Sequence, residues 1–178
     1  MTELAAALDV SRPVAYRLVA TLEAHHLARR VAGGVELGVG ALHLAEGVLP
    51  LLRRAALPAL RSLADEVGAT SHLTVAEGEE ALAVAVVEPR FTDVHVAYRV
   101  GYRHPLDRGA AGEAILRGAG WVATKGKLQP GAFGVAAPVL GVPGLRASVG
   151  VVSLDALDQI IVGPRVEATA AELAQRLS

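Results

Sequence analysis

The chain has no cysteine, a net charge of only −1, and six aromatic side chains: one tryptophan, three tyrosines and two phenylalanines. Each shortage excludes something. Without cysteine there are no disulfides, no thiolate nucleophile and no cysteine-based zinc site. With so few rings, a base-stacking platform for single-stranded nucleic acid is excluded, and the core must be built from alanine, valine and leucine. A near-neutral chain without a basic tail carries little of the charge that drives non-specific binding to phosphates. No apolar run reaches membrane-spanning length without a charge, and no signal peptide opens the chain, so a cytoplasmic location is expected. The nucleophile elbow, the phosphate loop, the metalloprotease helix motif and a dinucleotide fingerprint after a strand are all missing, so no catalytic residues are expected. What is plentiful is apolar residues, 52% of the 178, with a mean hydropathy of +0.41. That secures a packed core and excludes disorder. The length suits one medium domain, or a small module joined to a sensor-sized one.

Residues 2–27, TELAAALDVSRPVAYRLVATLEAHHL, read as a helix-turn-helix. Leu4, Ala7 and Leu8 recur at helical spacing behind Thr2, the expected N-cap. Asp9-Val10-Ser11 forms a turn, Ser11 caps a second helix, and Pro13 is tolerated in its first turn. In that helix Ala15, Leu18, Val19 and Leu22 share one stripe. Arg12, Pro13, Val14, Tyr16 and Arg17 lie near the exposed amino end, the part a recognition helix presents to the major groove. Residues 28–31 and 35–37 flank Gly33-Gly34 as a hairpin, and a hairpin in this place is a wing. Arg29 and Arg30 at its base suit phosphates, which position a protein without reading sequence. Within residues 1–38 four arginines (12, 17, 29, 30) face four acids (Glu3, Asp9, Glu23, Glu36), so two copies are needed to hold DNA.

Gly38-Val39-Gly40 ends this pattern. A short helix is expected over 41–47, interrupted at Pro50, then a longer amphipathic helix from Leu51 to Val67 stopped by Gly68. The Ala/Leu-rich segment 41–63 carries too much apolar stripe for a lone linker, which predicts a dimer or tetramer. Strands are expected at 70–76, 81–87 and 93–99, a short helix at 109–117, three more strands at 121–124, 134–140 and 145–153, and a terminal helix from Gly163-Pro164 to Leu177. This order makes an α+β domain, an antiparallel sheet with helices on its faces. The histidines at 25, 26, 43, 72, 95 and 104 are scattered. His25-His26 reads as an exposed helix end rather than a metal site; His72 and His95 lie on alternating strands and are placed to face one another.

Taken together, TELAAALDVSRPVAYRLVATLE, the wing ending VELG, SHLTVAEGEEALAVAVVE, RVGYRHPLDRGAAGEAIL, GWVATKGKLQPGAFGVAAPV and ASVGVVS resemble, in order, the IclR family of bacterial transcriptional regulators. The resemblance implies a winged helix-turn-helix (1–38), a linker helix (39–50) and a GAF/profilin-like effector-binding domain (51–178). It implies double-stranded operator DNA and a small organic acid as partners, in a homodimer or homotetramer, without cofactor or metal. The chain departs from the family at several points. The family's helix before Thr2 is absent from this sequence, so either the coding sequence extends upstream of Met1 or the reader is degraded. Pro13 and Val14 replace hydroxyl residues, and His25-His26 stands where a glycine usually ends the recognition helix, with His26 expected in the left-handed region. Helical sequence is also missing between Arg117 and Gly120.

The family's effector pocket maps onto Asp107, Arg108, Gly109, Ala110, Ala111 and Gly112, then Thr124, Gly134, Val151 and Ser153. Free N–H groups at a helix start, unobstructed by side chains, make an anion site. Arg108 adds charge, and Thr124 and Ser153 add hydroxyls. Asp107 replaces a common histidine, while Gly134 and Val151 replace polar residues of some relatives. Against this stands a plainer role for the small residues, close packing of helix on sheet. The functional reading is an effector-gated DNA-binding regulator. The alternative is a ligand-binding or heterodimerising remnant that has lost operator binding.

Overall fold

The computed structural model describes residues 1–91 and 98–178, the side chains of residues 45 and 46 excepted. The chain divides into two compact units, Met1–Pro50 and Leu51–Ser178.

The first unit is a winged helix-turn-helix: α1 (Thr2–Ala7), α2 (Arg12–Ala24) and the hairpin β1 (Ala28–Val31) and β2 (Gly34–Leu37). Met1, not Thr2, occupies the N-cap of α1. The interior is small: Ala5, Ala15, Val19 and Ala28 are buried. Only half of the expected α2 stripe is covered, since Leu18 and Leu22 are 47% and 42% exposed. The reason is the size of the cover. A six-residue α1 and one short strand pack on α2, and they span too narrow an arc to shield the positions on both sides of Ala15 and Val19. The turn after α2 is tight. His26 takes φ 57°, and Gly38 and Gly40 follow because any Cβ there would run into the His25 and His26 backbone carbonyls.

The helix α3 runs unbroken from Gly40 to Val67, which corrects the expected pair of helices. Pro50 and Pro58 remove one backbone donor each, but the amphipathic pattern continues past both and outweighs those losses. Gly68 ends it in the left-handed region, its N–H donating to the Ala64 carbonyl at 2.9 Å.

The second unit is a six-stranded antiparallel sheet in the order β5-β4-β3-β8-β7-β6. Its strands are β3 (Thr70–Glu77), β4 (Glu80–Val87), β5 (Arg103–Pro105), β6 (Val122–Lys125), β7 (Phe133–Val139) and β8 (Ala147–Ser153). The strand expected at 93–99, with His95, falls mostly outside the described residues; Tyr98 and Arg99 are not in a strand, and the short β5 forms the sheet edge instead. The remaining helices are α4 (Gly109–Arg117) and α5 (Gln159–Leu177). α5 starts before the expected Gly163-Pro164 because Asp158 caps it, accepting a bond from the Ile160 N–H at 3.0 Å. One face of the sheet carries α3 and α5: the Ser71 hydroxyl donates to the Leu60 carbonyl at 2.7 Å, and Arg165 of α5 pairs with Glu66 of α3 at 3.0 Å. The other face carries α4, whose Ala110, Ala111 and Ala114 pack on Ala136. Leu60, Leu63, Leu73, Val149, Val151, Val166 and Leu173 are all sealed from solvent. No helix among the described residues is long and apolar enough to cross a membrane.

Candidate functional site

The amino end of α2 stands open to solvent. Ser11 occupies its N-cap with extended backbone, and its carbonyl accepts from the Ala15 N–H at 3.0 Å. Contrary to expectation the Ser11 hydroxyl makes no capping bond, so the first N–H groups of α2 stay available. Arg12, Pro13, Tyr16 and Arg17 are exposed and Val14 is half-buried. The wing arginines are engaged differently. Arg29 pairs with Glu36, its cross-strand neighbour. Arg30 donates its backbone N–H to Glu23 at 2.9 Å, pairs with the same carboxylate at 3.1 Å, and lies 5.5 Å above the Tyr16 ring. Arg12 and Arg17 have no ion pair among the described residues. The cationic charge still free for phosphate therefore sits on α2 more than on the wing.

The second site lies in the Leu51–Ser178 unit, between α4 and the sheet face beneath it. Register decides which side chains reach it. Thr124 pairs with Gly134, Gly134 with Val152, and His72 with Gly150, and alternation puts these positions on the α4 face. A Cβ on Gly134 would stand 3.3 Å from the Ala110 Cβ and 3.4 Å from the Thr124 Oγ1. The pocket so formed is lined by Gly109, Ala110, Ala111, Thr124, Gly134 and Val151 of the expected set. Val151 contributes backbone, because its side chain shares a face with Ser71, which bonds to α3. Ser153 follows the same alternation onto the far face, and its hydroxyl accepts from the Asp155 N–H at 3.0 Å. Asp107 and Arg108 are exposed beside the pocket, with Arg108 donating to the Lys127 carbonyl at 3.1 Å. Gly112 faces away, where a Cβ would collide with the Leu106 carbonyl.

Sequence reasoning missed His72, Tyr98, Lys127 and Leu128 in this lining. His72 was legible as an inward strand position and Tyr98 was expected in the strand at 93–99; Lys127 and Leu128 sit in a loop, where no periodicity marks direction. The His72 ring is 5% exposed and lies across Gly150, where a Cβ would come within 2.6 Å of it. Its Nδ1 meets the Thr74 Oγ1 at 3.1 Å. Burial, assisted by the nearby His104, drives its pKa down to about 3, so the imidazole is neutral at ordinary pH. Tyr98, 5.0 Å from His72 between ring centroids and hydrogen-bonded to Thr74, has its phenol pKa raised by burial and then by Tyr102. The only cation of the lining among the described residues is Lys127, 2.8 Å from Glu113. Such a pocket offers the hydroxyls of Thr124 and Tyr98 and a neutral imidazole between apolar walls. No cluster of three or more metal-ligating side chains forms among the described residues.

Comparison with known proteins agrees with this geometry. Residues 1–32 match the IclR helix-turn-helix domain, and residues 50–118 match the bacterial transcriptional regulator IclR C-terminal domain, together more than half the chain. The chain belongs to the IclR family of transcriptional regulators, a family of DNA-binding proteins rather than enzymes. No curated protein matches it. Among solved structures, an IclR-family regulator from Rhodococcus sp. superposes with a TM-score of 0.71 at 21% identity, over 99% of this chain and 87% of that one. The Thermotoga maritima IclR gives 0.63 at 18% identity, over 99% and 90%. The Agobacterium tumefaciens repressor BlcR gives 0.60 at 21% identity, over 99% and 88%.

Proposed function

We propose that this chain is a cytoplasmic regulator that holds double-stranded operator DNA through residues 1–38 and senses a small organic carboxylate through residues 51–178, with 39–50 as the connection. The observation that carries the sensing half is the pocket at the start of α4, lined by Gly109, Ala110, Ala111 and Thr124. A helix start of this kind favours a negative charge. The reading half rests on Arg12, Pro13, Val14, Tyr16 and Arg17 at the open end of α2. Arg29 and Arg30 would add phosphate contacts only by exchanging their own carboxylates for DNA. A second copy is part of the proposal, because Leu18, Leu22, Leu42, Leu44 and Leu51 all stand exposed.

One observation favours the second reading, a ligand-binding or heterodimerising protein without operator binding: both wing arginines are already neutralised by Glu36 and Glu23. Mobility shifts on the DNA upstream of the coding region at low salt, with and without a panel of carboxylates, separate the two. The regulator binds with steep salt dependence, and the acid that stabilises the protein thermally also changes its DNA affinity by roughly 1–3 kcal/mol. Stabilisation by an acid with no DNA retention at any salt concentration leaves the second reading.

A further inference from the structure

The seat at the start of α4 is already taken by a side chain of this protein. Gly109 has φ +80°, and the Cδ1 and Cγ of Leu128 lie 2.5 and 2.6 Å from where its Cβ would stand. The isobutyl group therefore rests directly on the Gly109 backbone. What is left of the pocket encloses about 40 Å³, room for a water molecule or two and nothing larger. Any organic ligand at this place must displace Leu128.

The segment that carries Leu128 is a short loop closed on itself between two glycines. It joins β6 to β7 and is bounded by Gly126 and Gly131, with φ +68° and +80°, and a Cβ at Gly131 would meet nothing within 4 Å. The Gly126 N–H donates to the Ala132 carbonyl at 2.7 Å, closing the loop on itself. Two exposed tethers hold it to α4: the Arg108 guanidinium on the Lys127 carbonyl at 3.1 Å, and Lys127 on Glu113 at 2.8 Å. Solvent-exposed contacts of this kind are weak and easily exchanged. His72, more than nine-tenths buried, lines the same pocket as Leu128.

We propose that Leu128 is a tethered stand-in for the ligand and sets its class: a short, branched aliphatic monocarboxylate shaped like isovalerate. The alkyl branch fills the volume that the Leu128 side chain leaves, and the carboxylate meets the N–H groups opening α4 beside Thr124. A dicarboxylate would set its second charge against a neutral imidazole and apolar walls, with Lys127 already held by Glu113 at 2.8 Å. An aromatic acid is wider than the isobutyl group it must replace. The inference rests on the reading of this pocket as the effector site. It adds that ligand and Leu128 compete for one place, so the apparent affinity is reduced by the fraction of time Leu128 sits there.

The test is calorimetric titration of the full chain with isovalerate, succinate and benzoate, in the wild type and in Leu128→Ala and Leu128→Phe. Leu128 is only partly buried and sits in a loop, so both variants fold, and unchanged Trp121 fluorescence and melting temperature verify this. Expected are a preference for isovalerate over the other two acids of at least tenfold, a tenfold or greater gain for isovalerate in Leu128→Ala, and a loss of similar size in Leu128→Phe. If isovalerate affinity is unmoved by both substitutions, or if succinate or benzoate is preferred, the proposal is overturned while the pocket remains a ligand site. If no acid of the three binds any variant, the proposal falls, and the effector reading of the pocket falls with it.

Discussion

The two units are made from the same alanine, valine and leucine, yet they close their interiors to different degrees. In Leu51–Ser178 a six-stranded sheet is covered on both faces, and Leu60, Leu63, Leu73 and Leu173 are 2% exposed or less. In Met1–Pro50 four small or medium residues make the buried interior among the described residues, while Leu37 and Val39 are 82% and 76% exposed. Patterning alone does not make a core. An apolar stripe is buried only where enough other backbone faces it, and a sheet with helices on two sides supplies that where two short helices and a hairpin do not. The second unit seals its own core, and the first presents aliphatic surface that a partner would cover.

Truncating one leucine in each unit tests this contrast most severely. Leu173→Ala, in a fully sealed position, should cost about 2–5 kcal/mol. Leu22→Ala, on the half-open stripe of α2, should cost well under that in a monomer, about 1 kcal/mol or less. Urea melts followed by circular dichroism give both values, and Trp121, the single tryptophan, reports the second unit alone. A large loss from Leu22→Ala together with dissociation in light scattering would show that another copy covers that stripe.

The pocket gives the next largest effect. Thr124→Val should weaken a bound carboxylate by about 1.5–3 kcal/mol, the range for a hydrogen bond to a charged group. Ser153→Ala should leave affinity unchanged, because alternation turns Ser153 to the opposite face of β8. Equal losses from the two would mean that the pocket extends through the sheet edge and that the assignment of faces is wrong.

Acid sharpens the contrast further. His72 is neutral when folded, with its pKa lowered to about 3, and in the unfolded chain it titrates near the ordinary value of about 6.5. Below that ordinary value the unfolded state binds the extra proton. The stability of the second unit is therefore full above pH 6.5 and falls as pH drops toward 3, by at most about 1.4 kcal/mol per pH unit from this group. At pH 5 the loss is about 2 kcal/mol. His72→Phe should flatten that part of the profile in Trp121-detected urea melts. A profile identical to wild type would mean that His72 is charged when folded.

The smallest effects belong to the wing. Arg29→Ala breaks an exposed pair with Glu36 and should change folding stability by less than about 1 kcal/mol. If the wing touches phosphate, the same change lowers the salt dependence of DNA binding by about one charge, uniformly across sequences, whereas Arg12→Ala alters sequence preference. Mobility shifts across a salt series distinguish these. Unaltered salt dependence in Arg29→Ala would leave the wing out of the interface, held by its own acids.

Much of this was legible in the residues, and the misses share a cause. The helix-turn-helix, the hairpin at Gly33, the helix at 109–117 and the strands from Thr70 to Val87 follow from local period and turn chemistry. Pro50 misled because a proline breaks a helix only when its lost donor outweighs the continuing apolar stripe, and that balance involves residues on both sides. Asp158 as the cap of α5 was overlooked beside the louder Gly163-Pro164. In the pocket the small residues of α4, Thr124, Gly134 and Val151 could be placed through the resemblance and line it, whereas Ser153 turns to the other face of β8, since one position along a strand exchanges the two faces of the sheet.

The sequence by itself determined the family, the order of elements, the alanine-rich contact of α4 with the sheet and the want of any charge excess for DNA, because these depend on residue type and short-range spacing. Only the tertiary structure decided that Leu18 and Leu22 stay exposed, that Glu36 and Glu23 hold the wing arginines, that His72 is a buried neutral imidazole, and that Leu128 lies on Gly109. Each of those joins residues through packing or strand register, and which side chain meets which backbone is fixed when the chain closes on itself, not by its local period.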